Sequence, residues 1–235
     1  MSNRTDCLAA QRISRLLDEN SFVELGSLVT ARSTDFNLTQ TQTPSDGVIT
    51  GHGLIDASLV FVYSQDVSVL NGTIGEMHAK KIASVYDMAM KMGAPVIGFL
   101  DCAGIRLQES VDALDGFGQI YAKQAQASGV IPQICAVFGT CGGGLSVVPA
   151  LWDFAFVKKD DGKVFVNSPN ATEGNRTEKC DTSAAEFQSS ETGIVDGIGT
   201  EDEIFAKIRS LVSIVPENNQ ADVYTGECTD DLNRA

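Results

Sequence analysis

Apolar residues recur along this chain with two periods, and each period predicts a kind of element. Within 5–19, Leu8, Ala9, Ile13, Leu16 and Leu17 follow a helical spacing, so an opening helix is expected. The stretch 30–47 is polar and turn-rich, with Pro44, Asp46 and Gly47, and reads as a loop. Two strand-like runs follow at 48–54 and 59–64, and Asp56-Ala57-Ser58 between them suits a hairpin turn. In 75–92, Ile82, Val85, Met88, Ala89 and Met92 share one helical face, and Gly93 supplies the stop.

Continuous apolar runs at 95–100 (PVIGFL) and 132–138 (PQICAVF) have the character of buried strands. Between them, 111–128 carries a helical stripe of Leu114, Phe117, Ile120, Tyr121 and Ala125, ended by Gly129. Further strands are expected at 154–158 and 163–167. A last helix at 202–213 should bury Ile204, Phe205, Ile208, Leu211 and Val212. Strand–helix alternation without an internal repeat predicts one α/β domain over 1–215, with helices around sheet layers. The remainder, 216–235 (PENNQADVYTGECTDDLNRA), is polar and acidic and reads as an extended arm.

Composition narrows the function. With 235 residues, 43% of them hydrophobic, the chain has ample material for one substantial core. Its net charge of −14 and lack of a basic stripe argue against nucleic acid and anionic membrane surfaces as partners. No apolar run approaches the roughly 20 residues that span a bilayer. Residues 1–6 lack the order of a secretory signal, so a cytoplasmic location is expected. The six cysteines form no C-x-x-C pair, and with only two histidines (His52 and His78) no metal site is expected. Cys102, Cys135 and Cys141 lie in or just after apolar runs and read as reduced, buried thiols.

Candidate chemistry gathers at two turns. In Val137-Phe138-Gly139-Thr140-Cys141-Gly142-Gly143-Gly144-Leu145, a buried strand runs into three consecutive glycines and then an apolar stretch able to begin a helix. Adjacent glycines are entropically costly to order. One reading is a backbone that bares its amides to a ligand oxygen gaining negative charge, such as a thioester oxygen during enolate formation. The other is a tight turn packed closely with no ligand. The second turn, Phe99 to Arg106, also ends a buried strand in small residues, and the two could face one crevice. There too a plain strand-ending loop is the competing reading, with Arg106 paired to Glu109 or Asp101.

The Gly72-Thr73-Ile74-Gly75 turn has neither a dinucleotide nor a phosphate-loop pattern. Lys80 and Lys81 after it could meet ligand phosphates, but solvation is the stronger expectation. His78 reads as packed or surface rather than catalytic. No serine or cysteine stands in a nucleophile arrangement with either histidine. Chemistry here would rest on backbone donors.

Through most of its length the chain resembles the carboxyltransferase subunits of biotin-dependent acyl-CoA carboxylases and related sodium-pump decarboxylases. The resemblance is carried in order by RISRLLDENSFVELGSLV, TPSDGVITGHGLI, GEMHAKKI, APVIGFLDCAGIRLQE, ASGVIPQICAVFGTCGGG, PALWDFAFV and LVSIVPENN. It implies a single crotonase-like spiral ββα domain, the half that binds acyl-CoA. Segment 216–235 then corresponds to the linker toward a second half that binds carboxybiotin.

The implied reaction moves a carboxyl group between carboxybiotin and the α-carbon of a short acyl-CoA. The implied partners are a second-half carboxyltransferase subunit and a biotin carboxyl carrier protein bearing the biotin, in a trimer-based hetero-oligomer. At the site, the resemblance implies Gly143 and Gly144 as oxyanion-hole residues, with Ala103, Gly104, Lys80 and Gly142 contacting CoA.

The sequence departs from the family at several points. Gly142 stands where alanine is usual. Asp-Cys-Ala-Gly-Ile-Arg replaces Asp-Ser-Gly-Gly-Ala-Arg, so Ala103 and Ile105 narrow that turn. The region 168–190 is shorter and more polar, and Glu191-Thr192-Gly193-Ile194 lacks the usual preceding histidine. The zinc ribbon of bacterial acetyl-CoA carboxylase β subunits is absent. Two other readings stay open: a biotin-independent crotonase-type hydratase or decarboxylase, with Glu109 as an acid–base candidate, and a non-catalytic CoA-binding scaffold.

Overall fold

The computed structural model describes residues 7–32, 42–171, 173 and 180–222. Expectations for the rest, including Cys228, residues 172 and 174–179 of the 168–190 region and most of the acidic arm, lie outside the described residues.

The hairpin forms where alternation predicts it. Strands β2 (Val48–Ile55) and β3 (Ser58–Gln65) pair antiparallel up to Ile55↔Ser58. Asp56 and Ala57 alone make the turn, at φ 47° and 67°. Two positive φ values give the turn the twist that matches its strands, so Ser58 belongs to β3. Beyond β3 the sheet is parallel through β4 (Val96–Cys102), β5 (Gln133–Gly142) and β6 (Phe154–Lys158). Helices α2 (Glu76–Met92) and α3 (Ser110–Ala127) make the first two crossovers, and the short α4 (Val147–Leu151) lies in the third.

Three short strands escaped the sequence reading in whole or part. β1 (Val23–Leu25) lines the edge beside β2, β7 (Lys163–Phe165) pairs with the far end of β5, and β8 (Gly197–Gly199) pairs with β6. β1 and β8 are too short for a period to register, and β7 stops before Val166 and Asn167.

Period-two alternation divides the core between the faces of the sheet. Phe61, Tyr63, Val96, Leu100, Cys135 and Val137 pack with α2 and α3. Val60, Val62, Ile97, Phe99, Ile134 and Phe138 pack with α1 (Leu8–Leu16) and α5 (Glu201–Ile214). Thr200 and Glu203 close a capping box on α5, which therefore starts one residue earlier than expected. A Cβ at Gly98 would lie 2.6 Å from both the Trp152 and Tyr63 rings, so this glycine is set by packing.

Four positions of the predicted apolar stripes need correction: Leu8 (45%), Met92 (62%), Leu114 (63%) and Ala125 are exposed. The buried face of α3 is instead Ala113, Phe117, Ile120, Gln124 and Ala127, which turns Leu114 toward an opening beside the sheet. No described helix is long and apolar enough to cross a membrane.

Candidate active site

The site begins at a slip between β4 and β5. Their register runs evenly to Leu100↔Val137, then jumps to Cys102↔Cys141. The extra residues of β5 include Gly139, where a side chain would collide with the Asp101 carboxylate. Both strands end in small-residue turns just beyond the slip, and these turns face each other. A cleft of about 570 Å³ opens between them. One wall is Ala103, Gly104, Ile105 and Leu107, and the opposite wall is Gly142, Gly143 and Gly144. From α3 come Leu114, Phe117, Gly118 and Tyr121, and Phe165 closes the end.

The structure thus gathers Ala103, Gly104, Gly142, Gly143 and Gly144 in one place. Lys80 is not among the lining residues; it is half exposed and donates to Glu76 Oε1 at 2.7 Å. Lys81 is corrected more sharply. Its ammonium is buried on the carbonyls of Ser45 (3.1 Å) and Val48 (2.5 Å), neither solvated nor turned to a ligand.

The glycines differ in what they are for. At Gly142 a Cβ would meet the Phe165 ring at 2.7 Å, so a side chain has no room there. Gly143 has open space on its Cβ side but φ of +63°. Its requirement is conformational, since an L side chain there is strained by about 1–2 kcal/mol. Gly143–Ser146 forms a 3-10 turn, whose first amides have no earlier carbonyl within the turn to donate to. Among the described residues, neither Gly143 nor Gly144 donates to a carbonyl outside the regular elements. Their carbonyls are held: Ser146 Oγ donates to Gly143 O at 2.7 Å, and the Tyr121 hydroxyl donates to Gly144 O.

Behind the wall of Ala103, Gly104, Ile105 and Leu107 sits a buried ionic cluster. The segment 103–106 is laced to 71–74 by Ala103 N–Asn71 O, Ile74 N–Gly104 O and Arg106 N–Ile74 O hydrogen bonds. The Arg106 guanidinium then turns inward. Its Nη1 donates to Asp46 Oδ1 at 2.5 Å and to Glu109 Oε1 at 2.7 Å, and Nη2 donates to Thr73 O at 2.8 Å. The second oxygens of both carboxylates accept α2 amides: Glu109 Oε2 from Glu76 N (2.6 Å), and Asp46 Oδ2 from His78 N (2.7 Å). Negative charge at a helix N-terminus is favoured by the peptide dipoles. Burial pushes the Asp46 carboxyl above its ordinary value, with the Arg106 guanidinium pulling it back.

Of the two partners expected for Arg106, Glu109 is therefore real and Asp101 is not. Asp101 instead accepts from Arg12 Nη1 at 3.3 Å. Asp46 was missed because it stands in a stretch that reads as a solvated loop; its place in the TPSDGVITGHGLI block was its only signal. Glu109 is buried with both oxygens engaged, which removes the acid–base candidate that a hydratase would need.

His78 is fully buried in the same cluster. The Gln65 Oε1 accepts from Asp101 N, so Gln65 Nε2 faces His78 Nε2 at 3.2 Å as a donor. That leaves the ring proton on Nδ1, 2.9 Å from Asp46 O. Burial first, then the Arg106 charge, lowers the imidazole to about 3, so it is neutral and structural. Burial pushes the Cys102 thiol up to about 12 and raises Cys135 and Cys141 as well. None of these buried thiols is an activated nucleophile.

This fold and cleft define a carboxyltransferase domain: residues 2–235 match the carboxyl transferase domain family, and the chain belongs to it. Over 96% of its length it is 40% identical to methylmalonyl-CoA decarboxylase subunit alpha of Veillonella parvula, covering 45% of that protein. It is 41% identical to the propionyl-CoA carboxylase beta chain of Roseobacter denitrificans, over 90% of this chain and 42% of the relative. Among solved structures, transcarboxylase 12S with hydrolysed methylmalonyl-CoA bound superposes with a TM-score of 0.87 at 31% identity, over 95% of this chain and 44% of that one. The chain thus spans less than half the length of these relatives, and it matches their N-terminal halves. The α/β architecture with its mixed sheet is the crotonase-like one expected.

Proposed function

We propose that this chain is the acyl-CoA-binding part of a biotin-dependent carboxyltransferase, with Gly143 and Gly144 forming the oxyanion hole. The observation that carries the reading is the meeting of the two glycine-containing turns across one apolar cleft. A thioester laid in that cleft brings its carbonyl oxygen to the Gly143 and Gly144 amides. Ala103, Gly104 and Gly142 present backbone, without bulky side chains, to the pantetheine arm. Ile105, Leu107, Phe117 and Phe165 line the cleft with apolar surface, so hydrogen bonds to a developing enolate oxygen gain strength once a ligand displaces the water there. Losing one such donor typically costs about 3 kcal/mol of transition-state stabilisation.

Biotin, tethered to a carrier protein, supplies the carboxyl group when it docks. Glu109 and Asp101, which flank the 103–106 turn in the chain, are held by Arg106 and Arg12. The acceptor for the α-proton is therefore assigned to the biotin-side half, carried by a second-half carboxyltransferase subunit in a trimer-based hetero-oligomer. Lys80 has no place in this reading.

Reconstitution tests it. The chain is combined with a second chain similar to the C-terminal half of its relatives and with a biotinylated carrier. Carboxyl transfer to propionyl-CoA only when all are present is expected. Hydration of crotonyl-CoA or decarboxylation of malonyl-CoA by the chain alone would overturn the reading in favour of a self-contained enzyme.

A further inference from the structure

Consecutive glycines make a poor oxyanion hole unless something holds them. Each has the widest backbone freedom of any residue, and preorganised donors are what stabilise developing charge. Gly144 sits between two peptide planes, and both planes end in a carbonyl gripped by a side-chain hydroxyl. The plane joining Gly143 to Gly144 is held at Gly143 O by Ser146 Oγ at 2.7 Å. The plane joining Gly144 to Leu145 is held at Gly144 O by the Tyr121 hydroxyl, which reaches across from α3.

In a trans peptide the C=O and N–H point in opposite directions. Anchoring the Gly143 carbonyl therefore fixes the direction of the Gly144 N–H on the same plane. Anchoring the Gly144 carbonyl fixes the torsion on the other side of that residue. We propose that Ser146 and Tyr121 are positioning residues that lock the two peptide planes flanking Gly144 and so aim its amide at the thioester oxygen.

Three further observations support this. Ser146 is 8% exposed, so water competes little for its hydroxyl. Burial raises the Tyr121 phenol above its ordinary value, which keeps it a protonated donor. The fit at Gly144 is close as well: a Cβ there would stand 3.0 Å from the Tyr121 oxygen. Tyr121 also lines the cleft, so its ring and hydroxyl serve the same site from one side chain.

This inference rests on the acyl-CoA reading, and its test separates the two. The full chain is titrated with propionyl-CoA and with S-propyl-CoA, the thioether that lacks the carbonyl oxygen. The ratio of the two dissociation constants reads the hydrogen bonds to that oxygen alone. Wild type should favour the thioester by roughly tenfold or more. Ser146→Ala and Tyr121→Phe should each shrink the ratio by about 2- to 5-fold, whatever either does to thioether binding itself. Ser146→Thr, which keeps a hydroxyl, should restore it. Failure of wild type to bind, or to discriminate, sinks the acyl-CoA reading itself. A wild-type preference kept intact in Ser146→Ala and Tyr121→Phe sinks the positioning role and leaves that reading standing. If Tyr121→Phe melts too low to titrate, Ser146→Ala decides by the same ratio.

Discussion

Arg106 and Asp46 form an ion pair, Nη1 to Oδ1 at 2.5 Å, in which neither side chain exposes more than 1% of its surface. The two residues are sixty positions apart in the chain. Their contact, extended to Glu109, ties the loop before β2 and the N-terminus of α2 to the wall of the cleft. Removing one partner of a buried pair leaves a charge without compensation. Arg106→Met should therefore cost about 3–5 kcal/mol. Urea denaturation at neutral pH checks this, and a loss under 1 kcal/mol would mean the cluster is not the anchor described.

The His78 imidazole gives the protein a defined acid sensitivity. Its pKa falls from 6.5 in the unfolded chain to about 3 in the fold. The unfolded state thus binds a proton the folded state refuses. This contribution is fully present above pH 6.5 and is lost as pH falls from there toward 3. The slope is about 1.4 kcal/mol per pH unit. Between pH 7 and pH 5 the wild type should lose about 2 kcal/mol more than His78→Gln, which keeps polar atoms in the site without a titrating ring. Equal losses in the two proteins would contradict the buried, neutral assignment.

Two glycines in α3 make opposite predictions. At Gly116 a Cβ would stand 2.8 Å from that of Ala79, where α2 and α3 cross closely. Gly118 has nothing within 4 Å and lines the cleft. Gly116→Ala should destabilise by about 1–3 kcal/mol through overpacking. Gly118→Ala should stabilise by up to about 1 kcal/mol, since glycine inside a helix is unfavourable. The same variant should weaken acyl-CoA binding, because its methyl group enters the cleft. Thermal melts and calorimetry read the two effects separately.

Thiol chemistry should sort the cysteines by depth. Cys102, Cys135 and Cys141 are buried, and their thiols are raised by that burial; Cys7 and Cys180 are partly exposed. Iodoacetamide on the native protein, followed by peptide mass spectrometry, should label Cys7 and Cys180 and spare the other three. Labelling of Cys102 as fast as Cys7 would show that the turn beside Gly104 opens in solution.

What the sequence revealed and what it hid divide along the range of the interactions. The α2 helix stopped by Gly93, the hairpin turn at Asp56 and Ala57 and the glycine turn at 142–144 are local signals, and each element appears near where the pattern put it, with Met92 turned outward and Ser58 drawn into β3. The position of the 103–104 and 142–144 turns at the ends of two buried strands already suggested one shared crevice. Asp46 and Lys81 could not be read that way. Both are charged residues in polar-looking surroundings whose burial depends on partners far along the chain: Arg106 for Asp46, and the Ser45 and Val48 carbonyls for Lys81. Leu114 shows the reverse error, an apolar residue on a helical stripe that turns out to border the cleft.

The central claim is that the Gly143 and Gly144 amides receive a thioester oxygen, and their own nuclear resonance signals test it most directly. The isotopically labelled chain is titrated with propionyl-CoA and, separately, with free CoA, while the two amide protons are followed. The account predicts that both move downfield with the thioester and stay in place with free CoA. Contradiction would be a thioester that shifts Phe117 and the other cleft residues yet leaves both glycine amides where they were.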